Sequence, residues 1–337
     1  MLRRFHLLCL IMVVLVIGTL SCQSRQNQKP PQTSGEPMKV ARYYWPGAYW
    51  VEIADTMGWF KEAGLNVDII DTNPDYYASL DDMVAGKMDT NNFSLFDMIR
   101  HNLRGSDLVM VINSDNSFGA EAIVAKEDLT NIKNLRGKRI GVRENTYLDY
   151  IVEIALEMVG LESADYTIVD VAPERCVDAF VAGSFDAVAT WEPFVTEAVQ
   201  KGKGRKLFDT SEIPGILPNG FAFHRSFIEK RGEDVQAFVH VWHRTTLFIK
   251  EHPKEAFGII AGIYRKSPGE VQDMTSKDRI MDMQDNLGAF LYSSRFESLH
   301  GVVRLMNNYF IKHKITDALL DSTDYLDARF VRALKQE

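Results

Sequence analysis

The feature that most constrains the fold is an alternation of apolar runs and amphipathic segments that occurs twice along the chain. In the first stretch, segments with helical apolar spacing separate four predicted strands, at residues 38–44, 65–70, 88–92 and 108–113. Strands that alternate with helices predict an α/β sheet with helices on its faces. The pattern restarts near residue 125 and ends near 220. The sequence therefore predicts two α/β units of roughly 100 residues each.

The rest of the chain, from Phe227 onward, has helical spacing and no predicted strand. Ser267-Pro268-Gly269-Glu270 is typical of a helix start, with an N-cap serine and a proline at the first helical position. We expect these helices to pack on the first unit.

The N-terminus has the composition of an export signal. Two arginines precede an apolar run, Leu7 to Leu20, which is too short for a typical membrane span. Small residues then lead to Cys22, in a pattern that resembles a bacterial lipoprotein signal, although Thr19 stands where that pattern usually has leucine. We expect residues 1–21 to be removed and Cys22 to carry a lipid such as palmitate. Ordinary cleavage that yields a soluble exported protein is the alternative. Residues 22–37 are rich in Gln, Ser and Pro, which predicts a flexible tether.

Charge and cysteine content exclude several classes of function. The net charge is −8 and becomes more negative when Arg3 and Arg4 leave with the signal, which argues against nucleic acid and against anionic membrane faces. Beyond the signal and Cys22 only Cys176 remains, so no intrachain disulfide is expected. The chain has no phosphate-binding loop. We interpret His240 and His243, three apart on a helix, as surface or core residues and predict no metal site and no cofactor.

One stretch at a strand end is the first candidate for ligand contact. Gly183-Ser184 opens a buried run that ends in Trp191 and Glu192, before Pro193 stops the strand. Ligands in open α/β sheets lie just outside the carboxyl ends of the strands. Trp191 could therefore cover a flat ligand face, with Glu192 beside it. The alternative is that Trp191 is core and Glu192 caps the next helix.

Three other strand ends carry candidate residues. Five aromatic residues follow the first strand, in what the sequence predicts to be a Pro-Gly loop: Tyr43, Tyr44, Trp45, Tyr49 and Trp50. That density favours ligand contact over packing. Ser94 and the pair Asn145-Thr146 stand at predicted helix starts, whose free N–H groups can hold an anionic or carbonyl group. Ser94 as a plain N-cap is the alternative.

Several blocks, in this order, resemble a known family. After the lipoprotein-like signal come Gly64-Leu65-Asn66-Val67, Gly86-Lys87-Met88-Asp89, Leu135-Arg136-Gly137-Lys138 with Ile140-Gly141-Val142, and Trp191-Glu192-Pro193-Phe194. Together they are similar to ABC-transporter solute-binding proteins of the nitrate, sulfonate, taurine and thiamine-precursor group.

The resemblance implies an α/β, two-lobed periplasmic-binding-protein fold of the type II, Venus-flytrap kind, with the helical C-terminal part on lobe 1. Lobe 1 would comprise residues 38–122 and 223–337, and lobe 2 residues 123–222. Crossing segments near 120–125 and 221–224 would form the hinge.

The resemblance also implies a function. The protein would capture a small organic solute between the lobes and deliver it to an ABC permease with its ATPase, as a monomer anchored at the extracytoplasmic face through Cys22. It would not be an enzyme. The implied ligand contacts are Tyr44, Trp45, Ser94, Asn145, Thr146, Trp191 and Glu192. An acid among aromatics favours a flat heterocycle, such as a pyrimidine, over a sulfonate. The alternatives are a lipid-anchored ligand sensor for a signalling receptor and, less favoured, a pyrimidine-precursor synthase.

Overall fold

The computed structural model describes residues 35–72 and 75–336. The predicted signal, the lipidation site at Cys22 and most of the predicted tether lie outside the described residues. Within them, none of the helices is both long and apolar enough to cross a bilayer.

In the part of the chain that the structure describes, eleven strands form two sheets. In chain order they are β1 (Met38–Arg42), β2 (Val67–Asp71), β3 (Thr90–Ser94), β4 (Leu108–Ser117), β5 (Glu121–Ala125), β6 (Arg139–Val142), β7 (Thr167–Asp170), β8 (Ala187–Trp191), β9 (Arg205–Asp209), β10 (Pro218–His224) and β11 (Asp278–Ile280). The first sheet has the order β11-β4-β10-β3-β1-β2, and the second has the order β7-β6-β8-β5-β9. The predicted two α/β units are confirmed.

The first sheet is completed by two strands that follow the second chain crossing, β10 and β11, whereas the five strands of the second sheet are consecutive in the chain. In the first sheet β10 pairs antiparallel with β3 and β4, and in the second β5 pairs antiparallel with β8 and β9. The chain therefore crosses between the sheets at residues 118–120 and 210–217. The crossings were predicted a few residues later, in segments that prove to be strands β5 and β10. The predicted lobe boundaries likewise fall inside these two strands, and those boundaries stay a prediction.

Within residues 35–72 and 75–336, thirteen α-helices cover the sheets. They are α1 (Tyr49–Thr56), α2 (Trp59–Glu62), α3 (Tyr76–Val84), α4 (Leu95–Asn102), α5 (Tyr147–Glu157), α6 (Pro173–Val181), α7 (Phe194–Lys201), α8 (Arg225–Glu251), α9 (Pro253–Tyr264), α10 (Pro268–Ser276), α11 (Met283–Ala289), α12 (Leu299–Lys312) and α13 (Arg329–Ala333). Helix α10 begins as predicted, because the Ser267 hydroxyl accepts the Glu270 N–H and the Glu270 carboxylate accepts that of Ser267.

Two features differ from the sequence-based expectation. The aromatic loop after β1 is not a loop, because Pro46–Ala48 forms a 3₁₀ turn and α1 begins at Tyr49. Trp50 is buried in the core, with its ring edge-on to Phe221 and Phe238. The C-terminal part is not purely helical either, since β11 adds an edge strand to the first sheet. Three residues with a single apolar side chain were too short to recognise as a strand.

Candidate functional site

The two lobes, each built on one sheet, enclose a cavity of about 520 Å³, a volume typical of small-molecule sites. We call it the outer cavity. Four of the seven predicted contact residues line it, and they come from both lobes: Tyr44, Trp45, Trp191 and Glu192. The structure thus brings the end of β1 and the end of β8 together at one cavity.

A second, much smaller space adjoins the outer cavity and shares Tyr43, Trp45 and Trp191 with it. We call it the inner chamber. Its volume is about 20 Å³, enough for roughly one water. The other residues that line it are Tyr76, Asn92, Phe93, Glu121, Tyr147 and Asn219. Any larger solute enters the inner chamber only when its walls move apart.

Trp191 packs against aromatic rings from both lobes. It stacks on Tyr147 with ring centroids 6.0 Å apart and an interplanar angle of 24°, and it meets Tyr76 edge-on at 5.8 Å. The residue is 7 % exposed. Trp191 is therefore both a packed residue and part of the walls of the two spaces, so the two interpretations of its role are compatible. Ligand contact stays a prediction.

Glu192 does not present a free negative charge to the cavity. Its carboxylate accepts hydrogen bonds from the N–H and the hydroxyl of Thr196, and the ammonium of Lys277 lies 2.8 Å from it. The bonds to Thr196 fit the predicted alternative that Glu192 caps α7, and the ion pair offsets the carboxylate charge. The Glu192 carboxylate therefore does not support the prediction of a less anionic ligand.

Ser94 is the N-cap of α4, and its donors are already bonded. Its hydroxyl accepts the Asp97 N–H and donates to the Asp97 carboxylate, each at 3.1 Å, and its own N–H donates to the Tyr76 hydroxyl. Burial raises the pKa of Asp97, although Arg100 opposes the shift. A carboxyl and a phenol thus occupy the place where an anionic ligand would bind, and Ser94 lines neither space.

Asn145 and Thr146 are likewise turned to local contacts. The Asn145 N–H donates to Asp149, and the Thr146 hydroxyl donates to the Arg143 carbonyl. Neither residue lines the outer cavity or the inner chamber, whereas the next residue, Tyr147, lines the chamber. The helix start was located correctly from the sequence, but the side chain that faces the chamber is one position further along.

The wall formed by the first sheet contains a buried polar network centred on Asp115. Its carboxylate accepts hydrogen bonds from the Trp45 indole N–H, the Asn219 amide and the Ser114 hydroxyl, at 2.6–2.8 Å. Gly47 allows this arrangement, because a Cβ there would lie 1.7 Å from the Asp115 carboxylate. The network fixes the Trp45 ring and consumes the donors that an anionic solute would need.

Glu121, the first residue of β5, is a chamber residue that the sequence analysis missed. It is 2 % exposed, and its carboxylate accepts hydrogen bonds from the hydroxyls of Ser117 and Thr210. Burial, aided by the charge of Asp115, raises its pKa from 4.5 to about 7, while these hydrogen bonds oppose the shift. The signal in the sequence was a single acid at the head of an otherwise apolar strand.

His240 and Cys176 line neither the outer cavity nor the inner chamber. Among the described residues, no group of three or more His, Cys, Asp or Glu side chains could hold a metal ion. His240 contacts the carbonyl of Gln236 on its own helix. Cys176 is buried, and burial raises the pKa of its thiol to about 11, which fits a packed thiol.

Two sheets joined by two chain crossings, with a cavity lined by aromatic residues between them, define a periplasmic-binding-protein fold. The alkanesulfonate-binding protein from Xanthomonas axonopodis pv. citri superimposes with a TM-score of 0.67 over 87 % of this chain and 98 % of its own, at 15 % identity. The profile of the NMT1/THI5-like family matches residues 48–256, and the chain belongs to that family.

Relatives that are similar to this chain in sequence are named as binding proteins. A putative aliphatic sulfonates-binding protein of Bacillus subtilis is 25 % identical over 296 residues, 85 % of this chain and 84 % of its own. The taurine-binding periplasmic protein of Escherichia coli is 26 % identical over 61 % of each chain. The fold itself also occurs in an enzyme, since a desulfurization enzyme superimposes with a TM-score of 0.62, at 13 % identity, over 89 % of this chain and 99 % of its own.

Proposed function

We propose that this chain is an exported solute-binding protein of an ABC importer, with no catalytic activity of its own. It captures a small organic solute between its two lobes as a monomer and delivers it to a membrane permease. The observation that carries the proposal is the outer cavity of about 520 Å³, in which Tyr44 and Trp45 of one lobe face Trp191 and Glu192 of the other. Hinge closure around a solute is the motion that such two-lobed proteins use.

A flat heterocycle suits this cavity better than a sulfonate or nitrate. An anionic solute needs several free N–H or O–H donors. Here the Trp45 and Asn219 donors reach Asp115, and the helix start at Ser94 is bonded to Tyr76 and Asp97. The aromatic rings remain available for stacking on a ring of the solute. The sulfonate alternative is supported by the names of the relatives and by three cationic side chains that line the outer cavity, Arg42, Lys266 and Lys277.

The proposal includes a lipid anchor on Cys22, which places the protein at the extracytoplasmic face of the membrane. Globomycin treatment of the native host should leave an unprocessed precursor, and radiolabelled palmitate should enter the wild-type chain but not the Cys22→Ala variant. If globomycin does not block processing, the chain is cleaved as an ordinary exported protein and carries no lipid anchor.

Native mass spectrometry of protein purified from its own host tests the central claim. We expect an adduct of one small organic solute, and that solute should raise the unfolding temperature of the protein. If the protein converts the solute chemically, it is an enzyme and the proposed role in transport is wrong. If neither the native protein nor a screen of small heterocycles and sulfonates yields a bound solute, the proposed function is wrong.

A further inference from the structure

The inner chamber contains a carboxylate that has no cationic partner. Glu121 is almost fully buried, and no Lys, Arg or His of residues 35–72 and 75–336 forms an ion pair with it. The two side-chain hydrogen bonds from Ser117 and Thr210 both reach Oε2, and the carboxylate also has a backbone hydrogen bond from the N–H of Glu121 itself. Oε1 therefore has no side-chain donor among the described residues. A buried charge without a partner is costly, so an unpaired one in a cleft calls for an explanation.

The groups around Glu121 do not supply that partner. The charge of Asp115 raises the pKa of Glu121, and the charge of Glu121 in turn raises the pKa of Asp278. Both neighbours are acids, so neither can neutralise Glu121. Burial, and to a smaller extent the charge of Glu121, raises the pKa of the Tyr43 and Tyr147 phenols. Both phenols therefore stay protonated and carry no charge. The surroundings are therefore acidic and aromatic, and the missing element is a positive charge or a strong N–H donor.

The aromatic walls complement such a partner. Tyr43, Trp45, Tyr147 and Trp191 line the same chamber as Glu121. Ring faces attract cations, and a ring of the solute can stack on them. A carboxylate among aromatic rings thus matches a flat ring that carries a protonated nitrogen.

We propose that Glu121 is the specificity-determining acceptor of the cleft, and that its Oε1 receives an N–H of a solute whose flat ring bears a protonated nitrogen. The assignment rests on the proposed function and narrows it to a cationic class of solute. The solute reaches Oε1 when the chamber walls separate. Ser117 directly precedes the first chain crossing and Thr210 is the first residue of the second, so this contact would connect the solute to both crossings.

Three probes with the same ring and different charge test the proposal: benzylammonium, benzyl alcohol and benzenesulfonate. Their dissociation constants are measured by NMR titration on the full-length chain in mild detergent at pH 8. We expect benzylammonium to bind ~10-fold or more tightly than the other two, as expected for a hydrogen bond to a charged group. In the Glu121→Gln variant this preference should disappear.

Two further variants keep the result interpretable. Glu127→Gln changes an exposed acid six residues away and should retain the wild-type preference. Glu121→Asp keeps the charge but withdraws it, and should retain part of the preference. Thermal unfolding reports whether each variant is folded.

The outcomes separate this inference from the proposed function. Equal binding of the three probes, tighter binding of benzenesulfonate, no binding of benzylammonium at millimolar concentration, or an unchanged preference in folded Glu121→Gln overturns the role of Glu121. A solute carried from the native host would still support a solute-binding protein in each of these cases. A native solute with no nitrogen able to accept a proton would also overturn the inference.

Discussion

Lys277 and Glu192 form an ion pair between the two lobes, with Nζ 2.8 Å from Oε1. Lys277 lies between α10 and β11 on the side of the first sheet, and Glu192 follows β8 of the second sheet. Both residues line the outer cavity. The cavity wall is thus held together by a contact that must break when the lobes separate.

The first prediction concerns this ion pair. Lys277→Met should lower the free energy of unfolding by about 1–3 kcal/mol, because it leaves the buried Glu192 carboxylate without its cation, while partial exposure of Lys277 moderates the cost. Chemical denaturation measures the change. Asp273→Asn removes the exposed second partner of the same lysine and should cost less than about 0.5 kcal/mol. Equal effects of the two variants would contradict the assignment.

The second prediction separates ligand contact from packing at Trp191. Trp191→Ala should weaken binding of the native solute by at least ~1 kcal/mol and should also lower stability, because the ring packs on Tyr147 and Tyr76. Trp50→Phe is the matched control, since Trp50 is a core residue that lines neither space. It should lower stability and leave the affinity unchanged. Calorimetric titration and thermal unfolding give the two readouts, and unchanged affinity in folded Trp191→Ala would show that the tryptophan is only structural.

The third prediction follows from the raised pKa of Glu121. This pKa is about 7 in the folded chain and 4.5 in the unfolded chain, so the folded state favours the protonated carboxyl. The contribution of Glu121 to the free energy of unfolding therefore declines as the pH rises from 4.5 to 7. Glu121→Gln should therefore be more stable than the wild type at pH 8, by about 1–3 kcal/mol, with the gain vanishing near pH 4.5. Burial also raises the pKa of Asp97 and Asp278, so the difference between variant and wild type is the quantity to follow by denaturation. A gain that does not vary with pH would be inconsistent with a buried titrating group.

The fourth prediction tests the close approach at Gly47. Gly47→Ala places a methyl group against the Asp115 carboxylate and should destabilise the fold by about 2 kcal/mol or more. Gly258→Ala in α9, where a Cβ meets nothing within 4 Å, should be neutral or stabilising by up to about 1 kcal/mol. A tolerated Gly47→Ala would mean that the Asp115 network can shift without loss.

The sequence predicted the architecture well, because strand and helix periodicities are local and are repeated in both lobes. It also located the ends of β1 and β8, which form the two sides of the outer cavity. It did less well where a side chain's role depends on distant partners. Glu192 looked like a free acid because its cation, Lys277, is 85 residues away. Tyr49 and Trp50 looked like loop residues because proline and glycine precede them, whereas a 3₁₀ turn leads directly into α1.

Donor groups at helix starts were the other source of error. Ser94 was correctly placed at the start of α4, but local sequence does not reveal that Tyr76, from the preceding helix, reaches its N–H. Glu121 was overlooked for the opposite reason. Residues 120–125 were predicted only as a hinge crossing, and the chamber that Glu121 faces forms only where Tyr43 and Tyr147 come together from different lobes.

The return of the chain to the first sheet through β10 and β11 sets the order in which its parts can be completed during synthesis. All five strands of the second sheet have emerged once residue 209 is available, whereas the first sheet needs β10 and β11, up to residue 280. The lobe that begins first is therefore finished last. A chain shortened after residue 209 would carry one complete sheet beside an open one, with the edges of β3 and β4 exposed where β10 should lie.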